Sequence, residues 1–94
     1  MTRLDELLGA PVDGSYAWDK WPLPLEIYNG FRSLTGKFEL TVYFKFPVDR
    51  CGRADIDLTE GDMASLTKDR LDQLLFAAIG DTLAYIWAMP ILVD

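Results

Sequence analysis

Apolar and polar side chains alternate without interruption through most of residues 37–48, KFELTVYFKFPV. A period of two predicts a β-strand with one buried face and one solvated face. Pro47 ends the strand's pairing or marks a sheet edge, because proline has no backbone N–H to donate. The apolar positions are Phe38, Leu40, Val42, Phe44 and Phe46, and the polar positions are Glu39, Thr41, Tyr43 and Lys45.

A second stretch, residues 53–59 (RADIDLT), repeats this alternation. Its apolar positions are Ala54, Ile56 and Leu58, and its polar positions are Asp55, Asp57 and Thr59. The intervening DRCG, residues 49–52, has the composition of a turn. We therefore expect the two strands to pair as an antiparallel hairpin.

Residues 25–36, LEIYNGFRSLTG, fit two different elements. Asn29-Gly30 between apolar residues is typical of a tight hairpin turn. The apolar residues Leu23, Ile27, Phe31 and Leu34, however, have the spacing of one helical face. Pro24 suits a first helical turn and Gly36 suits a helix C-cap, whereas Gly30 inside a helix costs about 1 kcal/mol relative to alanine. The pattern slightly favours a helix.

Helical spacing appears at both ends of the chain. A short helix is predicted over residues 3–11, with the apolar face Leu4, Leu7 and Leu8, a cap at Gly9 and then Pro11. Thr59 with Asp62 resembles a capping box, and Thr67 can cap a second, longer helix. The segment 71–87 is apolar nearly all round, which predicts burial on most sides. Pro90–Val93 is expected to run extended along the sheet or into a neighbouring chain.

Together these elements predict an α+β fold in a single domain spanning residues 1–94. A small antiparallel sheet of two to three strands is covered on one face by the C-terminal helix. A short N-terminal helix packs at an edge. Residues 12–24, which contain Trp18 and Trp21, are expected to be irregular because prolines flank Leu23. One of these tryptophans is expected in the core and the other partly exposed.

The amino-acid composition disfavours several classes of function. The net charge is −6 with no histidine, which disfavours nucleic-acid binding and removes the commonest general base and transition-metal ligand. The only cysteine, Cys51, excludes an intrachain disulfide and suggests a reducing cytoplasm. No cofactor is expected. Asp55, Asp57, Glu60 and Asp62 lie close together in sequence, but their spacing does not match a calcium-binding loop, so no metal site is predicted.

The nearly uncharged C-terminal segment allows two interpretations, a membrane anchor or a buried element. Leu74–Val93 approaches the length of a membrane-spanning helix. Asp81 near its centre would cost about 2.5–3.5 kcal/mol on insertion scales, which argues against a membrane anchor. We instead expect a buried element whose Trp87, Ile91 and Leu92 can form a homo-oligomer interface, such as that of a homodimer.

The function that these features predict is non-catalytic, stoichiometric binding to another protein with a basic surface. The candidate partner-binding residues are Asp55, Asp57, Glu60, Asp62, Trp18, Trp21 and Tyr43. Acids would steer the encounter and aromatic residues would anchor the complex. By analogy of size and charge, an inhibitor, an immunity protein or a phage anti-defence protein would work in this way. The alternative is a self-assembling structural subunit that uses the C-terminal segment.

Overall fold

The structure, a computed structural model, describes residues 2–46 and 50–93, with side chains described as far as residue 84. Three strands form one antiparallel sheet in the order β1-β2-β3. The strands are β1 (Leu25–Arg32), β2 (Lys37–Phe46) and β3 (Arg50–Thr59), and the helices are α1 (Arg3–Leu8), α2 (Glu60–Ala64) and α3 (Lys68–Val93). The predicted α+β fold is confirmed.

The inner face of the sheet forms the core, as the alternation predicts. Leu40, Val42 and Phe44 on β2 are almost fully buried. On β3, Ala54, Ile56 and Leu58 are buried beneath α3, which packs mainly over this strand. Helix α3 contributes Leu71, Leu75 and Ile79 to the same core. The predicted strand faces are therefore confirmed, although the long helix lies over β3 rather than centrally over β2.

The segment 25–36 differs from both predictions. It forms strand β1 and then a turn at residues 33–36, so the helix was wrong. Asn29 and Gly30 pair with Leu40 and Glu39 in mid-strand, so a hairpin turn at that dipeptide was wrong too. The chain reverses instead at Gly36, whose φ of +67° lies in the left-handed region that glycine adopts without strain.

Two further boundaries need correction. The predicted turn at residues 49–52 begins a strand at Arg50, because Arg50 and Gly52 pair with Phe46 and Phe44. Helix α3 runs through Val93, so the extended course expected for Pro90–Val93 was wrong. An interior proline removes one helical hydrogen bond and crowds the preceding turn, but the residues beyond it remain able to continue the helix.

Helix starts follow the predicted capping chemistry. The Thr59 hydroxyl accepts from the Asp62 N–H at 3.0 Å, and the Asp62 carboxylate accepts from the Thr59 N–H at 3.2 Å. Thr67 caps α3 by accepting from the Arg70 N–H at 3.2 Å. Helix α1 has its own capping box, between Thr2 and Asp5, and ends at Gly9 with a φ of +86°.

A polar contact fixes the irregular segment against α3. Trp18 Nε1 donates to the Asp72 carboxylate at 2.8 Å, and Lys68 lies 3.4 Å from the same carboxylate. The Trp18 ring also meets Phe76 edge to face, with the ring centroids 4.8 Å apart. Although partial burial acts to raise the pKa of Asp72, the Trp18 hydrogen bond and the Lys68 charge hold it below its ordinary value.

This contact predicts a specific pH dependence of stability. Because the folded-state pKa of Asp72 is lowered, its stabilisation is present above the unfolded-state pKa and is lost as the pH falls through the folded-state value. We therefore expect the wild type to lose more unfolding free energy than Asp72→Asn between about pH 6 and pH 3. Urea unfolding at both pH values measures this difference.

The matched control is Trp18→Phe, which keeps an aromatic ring and removes the N–H donor. At neutral pH this change is expected to cost on the order of 1 kcal/mol or more, since the lost hydrogen bond is to a charged group. The pKa of Asp72 should rise toward its ordinary value. Equal acid sensitivity in the wild type and Asp72→Asn would show that the contact contributes nothing.

Candidate functional site

The face of the sheet opposite α3 is the candidate site, and we call it the open face. Residues alternate in and out along each strand, so the side chains on this face follow from the register. They are Glu26, Tyr28 and Arg32 on β1; Lys37, Glu39, Thr41, Tyr43 and Lys45 on β2; and Cys51, Arg53, Asp55, Asp57 and Thr59 on β3. The core residues of α3, such as Leu71 and Leu75, pack with the opposite, inner face, and most side chains of the open face are exposed.

Two tyrosines occupy its centre. Tyr28 is 37% exposed and Tyr43 is 45% exposed, and their rings meet edge to face with centroids 5.8 Å apart. The Tyr28 hydroxyl donates to Glu26 at 2.8 Å, and this hydrogen bond is the main cause that raises the pKa of Tyr28. Together with Thr41 and Glu26, the two rings line a shallow depression of about 410 Å³.

Charged residues flank the tyrosine pair. Arg32 lies 2.9 Å from Glu39, and Arg53 lies 3.4 Å from Asp55. The Arg53 guanidinium also sits 5.8 Å from the centre of the Tyr43 ring, within the range of a cation–π contact. Two of the acids on this face, Glu39 and Asp55, are therefore accompanied by cations.

Glu26 and Asp57 differ from the other acids on this face. Glu26 accepts the Tyr28 hydroxyl and forms no ion pair with a residue that the structure describes. Asp57 lies directly opposite Glu39 in the register, and like charges in that position destabilise a sheet. Asp57 forms no ion pair with any residue that the structure describes. Arg32 offsets part of this repulsion, because its pKa is raised mainly by the Glu39 hydrogen bond and further by the charge of Asp57. A cation from another molecule would offset more of it.

The other predicted acids have different positions. Glu60 is exposed in the first turn of α2, directly after β3. Asp62 lies in the same turn, where its carboxylate is used in the capping box. Both favour the helix start because anionic groups interact well with a helix N-terminus.

Comparison of this chain with family models, curated proteins and solved structures found no match.

Of the two tryptophans, Trp18 is only 4% exposed and belongs to the core, so it is not part of the candidate surface. Trp21 is half-buried: its ring packs on Phe44 with centroids 5.6 Å apart, and its Nε1 donates to the Lys45 carbonyl at 2.7 Å. Trp21 therefore supports the inner face rather than the open face.

Other chemistry has little support in the described residues. No three acidic or cysteine side chains there come together as a metal-binding group. Cys51 is an exposed free thiol at the start of β3. Nor does any helix in that part of the chain combine the length and hydrophobicity needed to cross a bilayer. The predicted interface residues Trp87, Ile91 and Leu92 lie outside the residues whose side chains are described.

Sequence reasoning missed Tyr28 and Glu39 as members of the site. Tyr28 was missed because residues 25–36 were assigned to a helix. The signal that would have identified Tyr28 is the alternation of Glu26, Tyr28 and Arg32 on β1 with Leu25, Ile27 and Phe31, whereas Glu39 already stood among the polar positions of the 37–48 strand. Asn29 obscures that alternation, since it occupies an inner position where an apolar residue is expected.

Proposed function

We propose that this chain is a non-catalytic protein-binding module that occupies a partner's surface through the open face. The observation that carries this proposal is the pair of exposed tyrosines, Tyr28 and Tyr43, on a sheet face that no described helix covers. Tyrosine is enriched among the residues that contribute most binding energy at protein interfaces. Their mutual packing on adjacent strands also lowers the entropy that binding would cost.

The charge of the chain favours a partner with a basic surface. A net charge of −6 attracts such a partner at long range and speeds encounter. At close range, Asp57 and Asp55 lie on the β3 side of the tyrosine pair, where a partner's lysine or arginine would meet them. Glu60 extends the acidic region at the start of α2.

Small acidic proteins without cofactors are well suited to stoichiometric inhibition, immunity or anti-defence roles, including those encoded by phages. This part of the proposal rests on analogy of size and charge. Cytoplasmic residence is proposed because a single, exposed cysteine gives no intrachain disulfide.

The test is capture of the partner from cells of the native host, with charge reversal at the open face. Asp55→Lys/Asp57→Lys is expected to weaken binding by tenfold or more, since each reversal replaces an attraction by a repulsion. The matched control, Asp19→Lys/Asp81→Lys, changes the net charge equally at exposed positions away from the open face. It should lower only the salt-dependent rate of association.

Both double variants must first unfold in urea at similar midpoints to the wild type. Equal loss of binding in the two would mean that net charge alone attracts the partner. Unchanged binding by Asp55→Lys/Asp57→Lys would contradict the proposed surface. Replacing Tyr43 by alanine is an independent test. Because Tyr43 is a proposed interface anchor, its loss is expected to weaken binding roughly tenfold or more.

Self-assembly is the second candidate, and one feature of α3 favours it. Helix α3 still lies near β3 at Thr82, whose Oγ1 is 3.4 Å from the Arg53 carbonyl oxygen, and the helix then continues to Val93. The sequence from Leu83 to Val93 contains no charged residue. A homo-oligomer interface would favour such an uncharged segment. A solution mass that shows only monomer across a wide concentration range would exclude this function.

A further inference from the structure

The two edges of the sheet differ in how their backbone groups are satisfied. On β1, the Ile27 N–H and C=O pair with Tyr16 at 3.0 and 2.8 Å, so these groups point away from β2. Backbone direction alternates along antiparallel strands. The register then points the N–H and C=O groups of Cys51, Arg53, Asp55 and Asp57 away from β2, toward the free edge of β3.

That edge is open over most of its length. The Arg53 carbonyl oxygen lies 3.4 Å from Thr82 Oγ1, whose hydroxyl donates to the nearer Ala78 carbonyl at 2.9 Å. The backbone groups of Cys51, Asp55 and Asp57 pair with no other backbone group among the described residues. An edge strand with such a row of unpaired donors and acceptors is a template for another extended chain.

The surroundings of this edge have room for an added strand. A depression of about 210 Å³ lies beside it, between β3 and the start of α3. Its walls combine apolar and polar side chains, which are Leu58, Leu66 and Leu74 together with Asp57, Asp62, Ser65 and Arg70. An added strand would present one set of alternate side chains to this depression and the other set to the open face.

The charged side chains at the edge of β3 indicate which kind of incoming strand would bind there. Asp55 and Asp57 project two residues apart on the open face at this edge, so basic residues at alternate positions of an incoming strand would face both of them. In a second copy of the chain, an antiparallel register centred on Ile56 would set Asp55 against Asp57, whereas one centred on Ala54 would pair Arg53 with Asp55. A strand of another protein with basic residues opposite Asp55 and Asp57, and none opposite Arg53, would have opposite charges at both aspartates.

We propose that the partner adds an extended segment to the free edge of β3, with basic residues at alternate positions facing Asp55 and Asp57 and apolar residues between them. This inference rests on the proposed function and specifies how the partner is recognised. The backbone of β3 supplies the hydrogen bonds, and the two aspartates select the charge.

The probe is a short synthetic peptide in which arginine and valine alternate, and a peptide with glutamate in place of arginine is its control. Amide hydrogen exchange of the full chain is measured with and without each peptide. The arginine peptide is expected to slow exchange at Cys51, Asp55 and Asp57, whose N–H groups face the free edge. The amides of Ala54, Ile56 and Leu58 already pair with β2 and should change little.

Two variants of Asp57 distinguish backbone pairing with an added strand from electrostatic attraction alone. Asp57→Ala removes the carboxylate, whereas Asp57→Pro removes the carboxylate and the outward N–H, a change that an edge strand tolerates. Asp57→Pro is expected to bind the peptide roughly tenfold more weakly than Asp57→Ala. Methylation of the peptide nitrogens that pair with β3 should abolish binding. Methylation of the alternate nitrogens, which point away from β3, should preserve it.

Four results would overturn the inference. These are equal binding by the two Asp57 variants, no binding of the arginine peptide, equal binding of the glutamate peptide, and protection of the β3 edge by a second copy without any peptide. The capture experiment with Asp55→Lys/Asp57→Lys tests the proposed function separately. Loss of capture together with equal binding by the two Asp57 variants would leave the surface correct and strand addition wrong.

Discussion

Replacing Leu75 by alanine is expected to lower the free energy of unfolding by about 2–5 kcal/mol, the range for large-to-small changes in a core. Leu75 is fully buried where α3 meets the inner face of the sheet. The change removes apolar burial and leaves a cavity that a core of this kind closes only in part. Urea unfolding of the variant and the wild type measures the loss.

Leu34→Ala is the matched control, because it removes the same atoms from a side chain that is 100% exposed in the turn between β1 and β2. We expect a change within about 0.5 kcal/mol at this surface position. If the two variants lost similar stability, α3 would not pack on the sheet as described.

Gly52→Ala is expected to destabilise the fold by about 1–3 kcal/mol, the usual cost of overpacking a core. A Cβ at this position would lie 2.5 Å from the Phe44 ring on the neighbouring strand. The ring has little freedom to move, because Phe44 is buried and packs against both Trp21 and Phe46. Thermal or urea unfolding would reveal the cost.

Gly30→Ala makes the same change in a strand where the new Cβ would meet the Glu39 carbonyl oxygen at an ordinary 4.0 Å. It should be neutral or stabilising, since alanine loses less backbone entropy on folding. In a Phe44→Leu background the cost of Gly52→Ala should shrink, because the clashing ring atoms are gone. Equal effects of Gly52→Ala and Gly30→Ala would contradict the close contact of Gly52 with Phe44.

The elements that sequence predicted well are those whose side-chain pattern matches their local geometry. On β2 and β3, every apolar position of the alternation faces the core, and the polar positions face outward. The caps at Thr59 and Thr67 depend on neighbouring residues alone, so local chemistry sufficed to predict them. Strand pairing of β2 with β3 followed because the two are adjacent in sequence.

Strand β1 was not predicted because its pairing with β2, rather than its local residue pattern, determines its structure. Phe31 and Leu34 have helical spacing with Ile27, yet Leu34 is fully exposed in a turn and Phe31 is largely exposed. Their spacing therefore does not reflect a buried helical face. Asn29 occupies an inner position beside Leu40, where its side-chain oxygen is buried without a hydrogen-bond partner among the described residues. Such a residue is disfavoured by local preference and is accommodated by the paired strands around it.

For the candidate site, the sequence analysis named Asp55, Asp57 and Tyr43, which lie on the open face, but not Tyr28 or Glu39. Arg32 and Arg53 moderate the acidic surface. The alternation along β3 already places Arg53 beside Asp55, whereas only the register of β1 on β2 reveals that Arg32 lies beside Glu39. Trp18 has the composition of an interface anchor, yet its hydrogen bond to Asp72 places it in the core. Whether an aromatic side chain anchors a partner or a core depends on contacts distant in sequence.

Hydroxyl-radical footprinting of the free chain and of its complex with the captured partner tests the central claim most directly. If one sheet face is covered by α3 and the other binds the partner, Tyr28 and Tyr43 will be oxidised readily in the free chain while Trp18 and Phe44 are protected. Binding will then protect Tyr28 and Tyr43. Oxidation of both tyrosines at the same rate with and without the partner would contradict the account.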